Sequence, residues 1–361
     1  MTEYKTLNNI CVIRLSAIGD VCHAVSAVQG IQRRHPQASI TWIIGKVEYQ
    51  LVQGLPGIEF VVFDKNAGLG AYRQLGQQLR GRHFDVLLHM QVALRANLVA
   101  AMVSATVKIG FDKARAKEGH GWFISKAIEA QQEPHVLEGF AQFARAMGVE
   151  DAGPNWQMPY QEQDEIWAQQ ALEGRPRPFA IAPAASKAER NWTVEGYAAL
   201  ADYAAQSGFS PVLTGGPTDM ERQLGEAISQ KAKCSILNLV GKTSLKQLLC
   251  VLKEAALLLA PDTGPAHMAV TVGTPVIGLY AHSNPGRTGP YTCLPYVVEV
   301  YHENLGAQRG ESAKPVPWGY RLKGSDLMAQ ITVDRVREMF DRVAAAAPIV
   351  GDQTPHPSKQ R

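Results

Sequence analysis

The segment ALLLAPDTGPAHMAVTV, residues 256–272, decides how the second half of this chain folds. Its first five residues form a short apolar run, which predicts a strand buried on both faces of a parallel sheet. Pro261 and Gly264 indicate a turn, and the apolar residues beyond them predict a helix over 264–272. A buried strand that passes through a tight turn into a helix is half of a βαβ unit, so the segment predicts an α/β fold.

A similar succession opens the chain. Residues 10–15, ICVIRL, predict a buried parallel strand, residues 16–20 a tight turn, and residues 21–34 a helix with one apolar face. The alternation continues with a predicted helix at 72–79 and predicted strands at 39–44, 60–63, 84–89 and 106–109. Strands separated by helices of this length indicate a parallel sheet.

Residues 149–177 are rich in Pro, Gly, Gln and acidic residues, and they separate this alternation from a second one. The second has predicted helices at 192–207, 220–232, 244–254 and 264–272 and predicted strands at 178–182, 210–214, 236–239, 256–260 and 275–280. The sequence therefore predicts an α/β protein with two facing Rossmann-like domains that each contain a parallel sheet.

The polar, Gly- and Pro-containing residues 303–323 predict a loop after the last strand. The expected domains are an N-terminal one over 1–170, a C-terminal one over 171–330, a helix over 331–347 that packs back on the N-terminal domain, and a frayed tail over 348–361.

The bulk composition is that of a globular protein. Of 361 residues, 46% are hydrophobic and 19% charged, and the formal net charge of +3 is too small to indicate a nucleic-acid partner. The five cysteines include no C-x-x-C pair, which predicts free thiols in a reducing compartment. The apolar run 10–15 is too short for a signal peptide, and no stretch approaches the roughly 20 apolar residues of a membrane span. We expect a cytoplasmic protein, with any membrane contact peripheral.

The turn after the first strand contains Ser16, Gly19 and Asp20. Asp20 is either a helix cap, which is common at such a position, or a general base that deprotonates an acceptor hydroxyl. The turn lacks G-x-G-x-x-G, which disfavours a dinucleotide-dependent oxidoreductase.

Two loops of the second half suit phosphate. Residues 183–192 hold Ser186 and Arg190 before a helix, where arginine binds two phosphate oxygens at once. The alternative is a solvated loop with ordinary surface charge.

The second of these loops, Asp262-Thr263-Gly264-Pro265-Ala266-His267, opens a helix whose backbone N–H groups suit a diphosphate. Asp262 suits sugar hydroxyls and His267 the phosphates. The alternatives are Asp262 as a helix N-cap and His267 as a core histidine.

Glu221, after another strand, suits a ribose diol, and decoration of a helix start is the equal alternative. Lys113, Arg115 and Lys117 suit a phosphorylated or carboxylated acceptor, against the alternative of solvated loop charge. No D-x-D motif follows the predicted strands, so we expect no metal and no other cofactor.

These segments together resemble glycosyltransferase family 9, the ADP-heptose:lipopolysaccharide heptosyltransferases. The resemblance rests on IRLSAIGDV at 13–21, on 186–192, on LVGKTSL at 239–245, on DTGPAHMA at 262–269, and on GTPVIGLY at 273–280. It implies a GT-B fold, with an acceptor-binding N-terminal domain and an ADP-sugar-binding C-terminal domain. It also implies inverting, metal-independent transfer of heptose from ADP-L-glycero-D-manno-heptose.

By this resemblance Asp20 matches the family's proposed base, and Asp262, Thr263, Gly264 and His267 match its donor-site motif. Arg190 stands where many members carry Lys, and Ser186 must supply any hydroxyl contact to phosphate. The resemblance implies transfer to the Kdo-lipid A inner core of lipopolysaccharide at the inner membrane surface. The alternatives are transfer to the first heptose, as in a second heptosyltransferase, and a non-catalytic nucleotide-sugar-binding protein on the same fold.

Overall fold

A computed structural model of the chain describes residues 7–132, 134–309 and 316–346. It divides between Tyr160 and Gln161 into two compact units. Within the described residues, no helix is both long and apolar enough to cross a membrane.

The first unit is built on a six-stranded sheet whose strands pair in parallel, in the order β3-β2-β1-β4-β5-β6. Its strands are β1 (Asn9–Ile13), β2 (Ser39–Gly45), β3 (Ile58–Phe63), β4 (Phe84–His89), β5 (Ala105–Gly110) and β6 (Lys126–Ala127). Its helices are α1 (Ile18–Arg34), α2 (Lys46–Val52), α3 (Leu69–Gln78), α4 (Leu94–Met102) and α5 (Val136–Ala146), with short 3₁₀ helices at Lys65–Ala67 and His120–Phe123.

The second unit has another six-stranded parallel sheet, in the order β12-β11-β10-β7-β8-β9. Its strands are β7 (Pro178–Ile181), β8 (Ser210–Leu213), β9 (Leu237–Asn238), β10 (Leu257–Pro261), β11 (Val276–Tyr280) and β12 (Val297–Glu299). Its helices are α6 (Glu162–Ala171), α7 (Val194–Gln206), α8 (Asp219–Lys231), α9 (Leu245–Glu254), α10 (Gly264–Thr271), α11 (Pro285–Thr288), α12 (Tyr301–Arg309) and α13 (Val333–Ala346), with 3₁₀ helices at Ala188–Arg190, Tyr291–Tyr296 and Met328–Gln330. The predicted α/β class with parallel sheets is confirmed.

Each sheet reverses its strand order once, and this reversal positions the candidate site. In the first unit the order reverses between β1 and β4, and in the second between β7 and β10. Loops that leave the carboxyl ends of such a pair diverge to opposite faces of the sheet and open a crevice, where doubly wound folds bind ligands. The turn that holds Asp20 follows β1, and the loops with Arg190 and Asp262 follow β7 and β10. The chemistry-bearing turns chosen from the sequence thus flank the two reversal points.

Three features differ from the sequence prediction. The boundary falls at residue 160 rather than 170, because α6 packs against α9, where Lys253 Nζ lies 2.5 Å from Glu165 Oε1. Helix α13 places Phe340 in the core of the second unit, beside Phe179, rather than on the N-terminal domain. Residues 301–309 form α12 instead of a loop, because Tyr301 and Asn304 are buried. The predicted tail 348–361 lies outside the described residues.

Candidate active site

Asp20 lies in the first turn of α1, where its carboxylate forms an ion pair with the Arg14 guanidinium. It also accepts a hydrogen bond from the backbone N–H of Ala17, the N-cap residue, at 3.4 Å. Asp20 is therefore not the N-cap itself but the third helical residue, which closes the turn from within. Its side chain keeps 33% of its surface exposed, against 9% for Arg14. The carboxylate both supports the helix start and faces solvent.

Arg14, at the end of β1, is a residue that the sequence analysis did not assign to the site. Its Nη1 donates to the carbonyl oxygen of Met90 at 2.7 Å, and its guanidinium lies 5.3 Å from the centre of the Phe140 ring. Burial lowers the pKa of Arg14, and the charge of Asp20 opposes that shift. A buried guanidinium needs a carboxylate partner, so the pair fixes the position of Asp20. The available signal was a cation directly after an apolar strand.

Ser16 is held by the loop that follows β4. Gln91 Oε1 accepts from the N–H groups of Leu15 at 2.7 Å and Ser16 at 3.3 Å, and Gln91 Nε2 donates to Ser16 Oγ at 3.3 Å. Gly19 is buried in the first turn of α1, next to Asp20. The structure thus brings Ser16, Gly19 and Asp20 together at the reversal point of the first sheet.

Arg190 occupies the corresponding loop of the second unit. Its Nη2 donates to Ser186 Oγ at 2.7 Å, and its buried Nε has no hydrogen-bond partner within the described part of the chain. Burial is the main cause that lowers the pKa of Arg190, and the nearby positive charge of Arg321 lowers it further. The guanidinium therefore has donor capacity that an anion can fill.

Asp262 does not cap α10, because Thr263 occupies the N-cap position. Asp262 Oδ2 accepts hydrogen bonds from Ser283 Oγ at 2.8 Å and from Thr288 Oγ1 at 3.4 Å. Thr263 Oγ1 donates to the carbonyl oxygen of Ala184 at 3.1 Å, which ties the loops after β10 and β7 together. The backbone at Gly264 begins α10, at the positive end of that helix.

His267 lies one turn into α10 and is 8% exposed. Its burial is compatible both with a phosphate contact at the helix start and with the core histidine that the sequence left open.

Glu221 lies in the first turn of α8, over the two glycines that follow β8. A Cβ atom on Gly216 would lie 2.6 Å from Glu221 Oε2, so the carboxylate lies close against this glycine. Burial raises the pKa of Glu221, which a backbone hydrogen bond from Gly216 opposes, and the buried Oε2 has no hydrogen-bond partner among the described residues. This carboxylate can accept hydrogen bonds from a diol.

Arg321 also reaches this edge of the sheet, through a segment that the sequence analysis treated as loop. Arg321 pairs with Ser283 in an antiparallel bridge, and the N–H of Leu322 donates to the carbonyl oxygen of His282 at 2.9 Å. The His282 ring lies between two carbonyl oxygens, 3.1 Å from that of Leu322 and 2.9 Å from that of Glu189. This pairing places a second guanidinium near Arg190 and Asp262.

The basic loop after β5 is only partly available for a ligand. Arg115 forms an ion pair with the buried Asp112 and lies 5.4 Å from the centre of the Phe111 ring. Lys113 and Lys117 are exposed. Of the three cations chosen for acceptor binding, two therefore face solvent and one holds the loop together.

Two buried histidines fix the far end of this loop. His89 Nε2 and His120 Nδ1 approach Asn97 Oδ1 at 2.9 and 3.2 Å, and His120 Nε2 accepts from the N–H of Phe111 at 3.0 Å. Burial lowers the pKa of His89 to about 3 and that of His120 to about 4, and the second histidine adds to the shift at His89. Both rings are therefore neutral in the folded protein at neutral pH.

Metal ligands are not grouped in the described residues: no three His, Cys, Asp or Glu side chains come together in a set that could hold an ion.

Two Rossmann-like units, one with a carboxylate at its reversal point and the other with arginines and a helix start, form the arrangement that the sequence predicts for a glycosyltransferase. Residues 72–316 match glycosyltransferase family 9 (heptosyltransferase), and the chain belongs to this family. The resemblance seen in the sequence is confirmed.

The chain is 42% identical over 328 residues to the lipopolysaccharide core heptosyltransferase OpsX of Haemophilus influenzae, with 91% of this chain and 94% of that one covered. A family 9 glycosyl transferase from Veillonella parvula has a similar fold, with a TM-score of 0.78, 20% identity, and coverage of 94% and 98%. The Escherichia coli heptosyltransferase WaaC with ADP gives a TM-score of 0.68 at 18% identity, with coverage of 93% and 99%. These likenesses confirm the predicted GT-B fold.

The neutral histidine pair predicts a stability that depends on pH. In the unfolded chain both histidines regain ordinary pKa values near 6.5, so the unfolded state binds more protons between pH 6.5 and about 4. The free energy of unfolding should fall over this window as the pH is lowered, by up to ~1.4 kcal/mol per pH unit for each histidine. Urea denaturation at pH 7, 6 and 5 gives the free energy of unfolding of wild type and of His120→Gln. Its slope against pH should be shallower in the variant. His83→Gln, which changes an exposed histidine, should retain the wild-type slope, and an unchanged slope in His120→Gln would contradict the assignment.

Proposed function

We propose that this protein transfers heptose from ADP-L-glycero-D-manno-heptose to the Kdo-lipid A inner core of lipopolysaccharide, with inversion and without a metal ion. The observation that carries the proposal is the gathering of Arg190, Asp262, Thr263 and Arg321 at one reversal point, while Asp20 stands at the other. It is supported by the 42% identity to a lipopolysaccharide core heptosyltransferase.

The donor half of the proposal rests on charge. Arg190 and Arg321, with the positive end of α10, offer an anion more than one point of positive charge. A diphosphate matches this arrangement better than a single phosphate does. The Asp262 and Glu221 carboxylates are left to accept hydrogen bonds from sugar and ribose hydroxyls. The WaaC structure contains ADP, which is the leaving group expected here.

The acceptor half rests on Asp20. As the acceptor oxygen bonds to the anomeric carbon, the bond from that carbon to the diphosphate oxygen breaks. Asp20 takes the acceptor's proton, and Arg190, Arg321 and His267 stabilise the negative charge that ADP carries away. Arg14 holds the carboxylate in place during this step. Because the attack comes from the face opposite the leaving group, the configuration at the anomeric carbon inverts.

The choice of acceptor rests on the basic loop after β5. Exposed Lys113 and Lys117 suit the carboxylates of Kdo, which favours Kdo-lipid A. The heptosylated inner core is also anionic, so transfer to the first heptose is the second candidate. A peripheral position on the cytoplasmic face of the inner membrane follows from an acceptor anchored by acyl chains.

The first prediction of the proposal concerns the donor. Arg190→Met and Arg321→Met should each weaken ADP binding about 10- to 150-fold, because each removes a charge-assisted hydrogen bond of ~1.5–3 kcal/mol. Titration calorimetry with ADP and with adenosine checks this, since adenosine binding should not change. Lys323→Met removes an exposed cation from the same segment as Arg321 and is the matched control. Equal losses for adenosine and ADP would contradict a diphosphate contact.

The second prediction concerns the base. Asp20→Asn should lower kcat by about 10²–10⁴-fold with ADP-heptose and Kdo-lipid A, while ADP binding is retained. Since Arg14 loses its partner, the melting temperature is measured in parallel. Asp64→Asn, which removes another carboxylate of the first unit, should leave turnover unchanged. Near-normal turnover with a lower melting temperature would assign Asp20 to the helix start alone.

A further inference from the structure

Three large apolar side chains of the first unit are exposed to solvent. Trp122 is 89% exposed, Leu94 is 55% exposed and Leu98 is 43% exposed. Soluble proteins expose single apolar residues routinely, whereas a group of them beside one another marks an interaction site.

The three residues share one corner of the unit. Leu94 and Leu98 are one turn apart on α4, on the side opposite its buried residues Ala96 and Val99. Trp122 belongs to the 3₁₀ helix that packs against α4. The Trp122 ring lies over Gly119, because a Cβ atom there would be 3.1 Å from the ring. The indole is thus held outward by the backbone beneath it.

Cations outnumber anions among the exposed charges around this corner. Glu118 is exposed, and its carboxylate accepts a hydrogen bond from the N–H of Leu94 at the start of α4. Asp112 is buried and paired with Arg115. One acid of the loop is therefore paired internally, and Glu118 is left as one exposed anion. The exposed cations Arg95, Lys113 and Lys117 form no ion pair within the described residues.

We infer that this corner docks on an anionic lipid surface. The docking surface, here the Trp122 surface, consists of Leu94, Arg95, Leu98, Lys113, Lys117 and Trp122. An indole and leucines enter the boundary between headgroups and acyl chains, while lysine and arginine contact anionic headgroups. A second protein copy would bring the same cations face to face, which disfavours it as the occupant. The inference rests on the proposed function, because an acceptor anchored in a membrane requires that the enzyme reach it there.

The test is sedimentation of the full chain with vesicles of phosphatidylethanolamine and phosphatidylglycerol, and with neutral phosphatidylcholine vesicles. Wild type should bind the anionic vesicles only. Lys113→Ala with Lys117→Ala should weaken binding about 25-fold, since each cation near such a surface contributes a factor of about five. Trp122→Ser should weaken it about ten-fold or more, because the indole loses its apolar contact with the lipid.

Leu69→Ser is the matched control. Leu69 is 87% exposed and begins α3 after the edge strand β3, whereas Trp122 lies between β5 and the opposite edge strand β6. Its substitution should leave vesicle binding unchanged. Quenching of tryptophan fluorescence by brominated lipid should occur in wild type and be reduced in Trp122→Ser.

Two further readouts separate this inference from the proposed function. Trp122→Ser should retain transfer to a deacylated, soluble Kdo acceptor while it loses vesicle binding. A wild type that transfers heptose yet ignores anionic vesicles would overturn the Trp122 surface and leave the function intact. A concentration-dependent dimer that Trp122→Ser dissolves would overturn it in favour of a second copy of the chain.

Discussion

In each unit the strand order reverses once, between two neighbouring central strands, and this reversal determines where the polar loops lie. Because β1 and β4, and likewise β7 and β10, are neighbours whose connections leave to opposite faces, their following loops separate at the carboxyl edge. Polar groups at those ends would otherwise lie buried in apolar sheets. The chain places Arg14 and Asp20 at one such edge, and Arg190, Asp262 and Thr263 at the other. The position of the chemistry therefore follows from sheet topology, and the loops supply its identity.

Buried titratable side chains are stabilised in two different ways within the first unit. Arg14 keeps its charge because Asp20 pairs with the guanidinium and a backbone carbonyl accepts a hydrogen bond from Nη1. His89 and His120 are instead held neutral, and they act through hydrogen bonds to Asn97. The first arrangement fixes a carboxylate that takes part in the proposed chemistry. The second fixes the loop whose outer face carries Lys113, Lys117 and Trp122. Each buried polar group thus positions something that faces outward.

The regular elements were readable from the sequence, and the long-range contacts were not. The strand predicted at 84–89 is β4 to the residue, because an apolar run bounded by turns admits few alternatives. Helix α4 was not predicted. Its Asn97 is buried while Leu94 and Leu98 face solvent, which is the reverse of the usual pattern of buried apolar and exposed polar residues. The residues of the sequence motifs could be chosen in advance. Arg321 could not, because only the folded chain places it beside Ser283.

Whether this chain adds heptose to the proposed Kdo-lipid A acceptor is decided by a single incubation. Purified protein is given ADP-heptose together with Kdo-lipid A in one reaction and its mono-heptosylated product in another, and the lipids are analysed by mass spectrometry. We expect a gain of one heptose residue on Kdo-lipid A and none on the heptosylated lipid. Transfer only to the heptosylated lipid, or to neither, would contradict it.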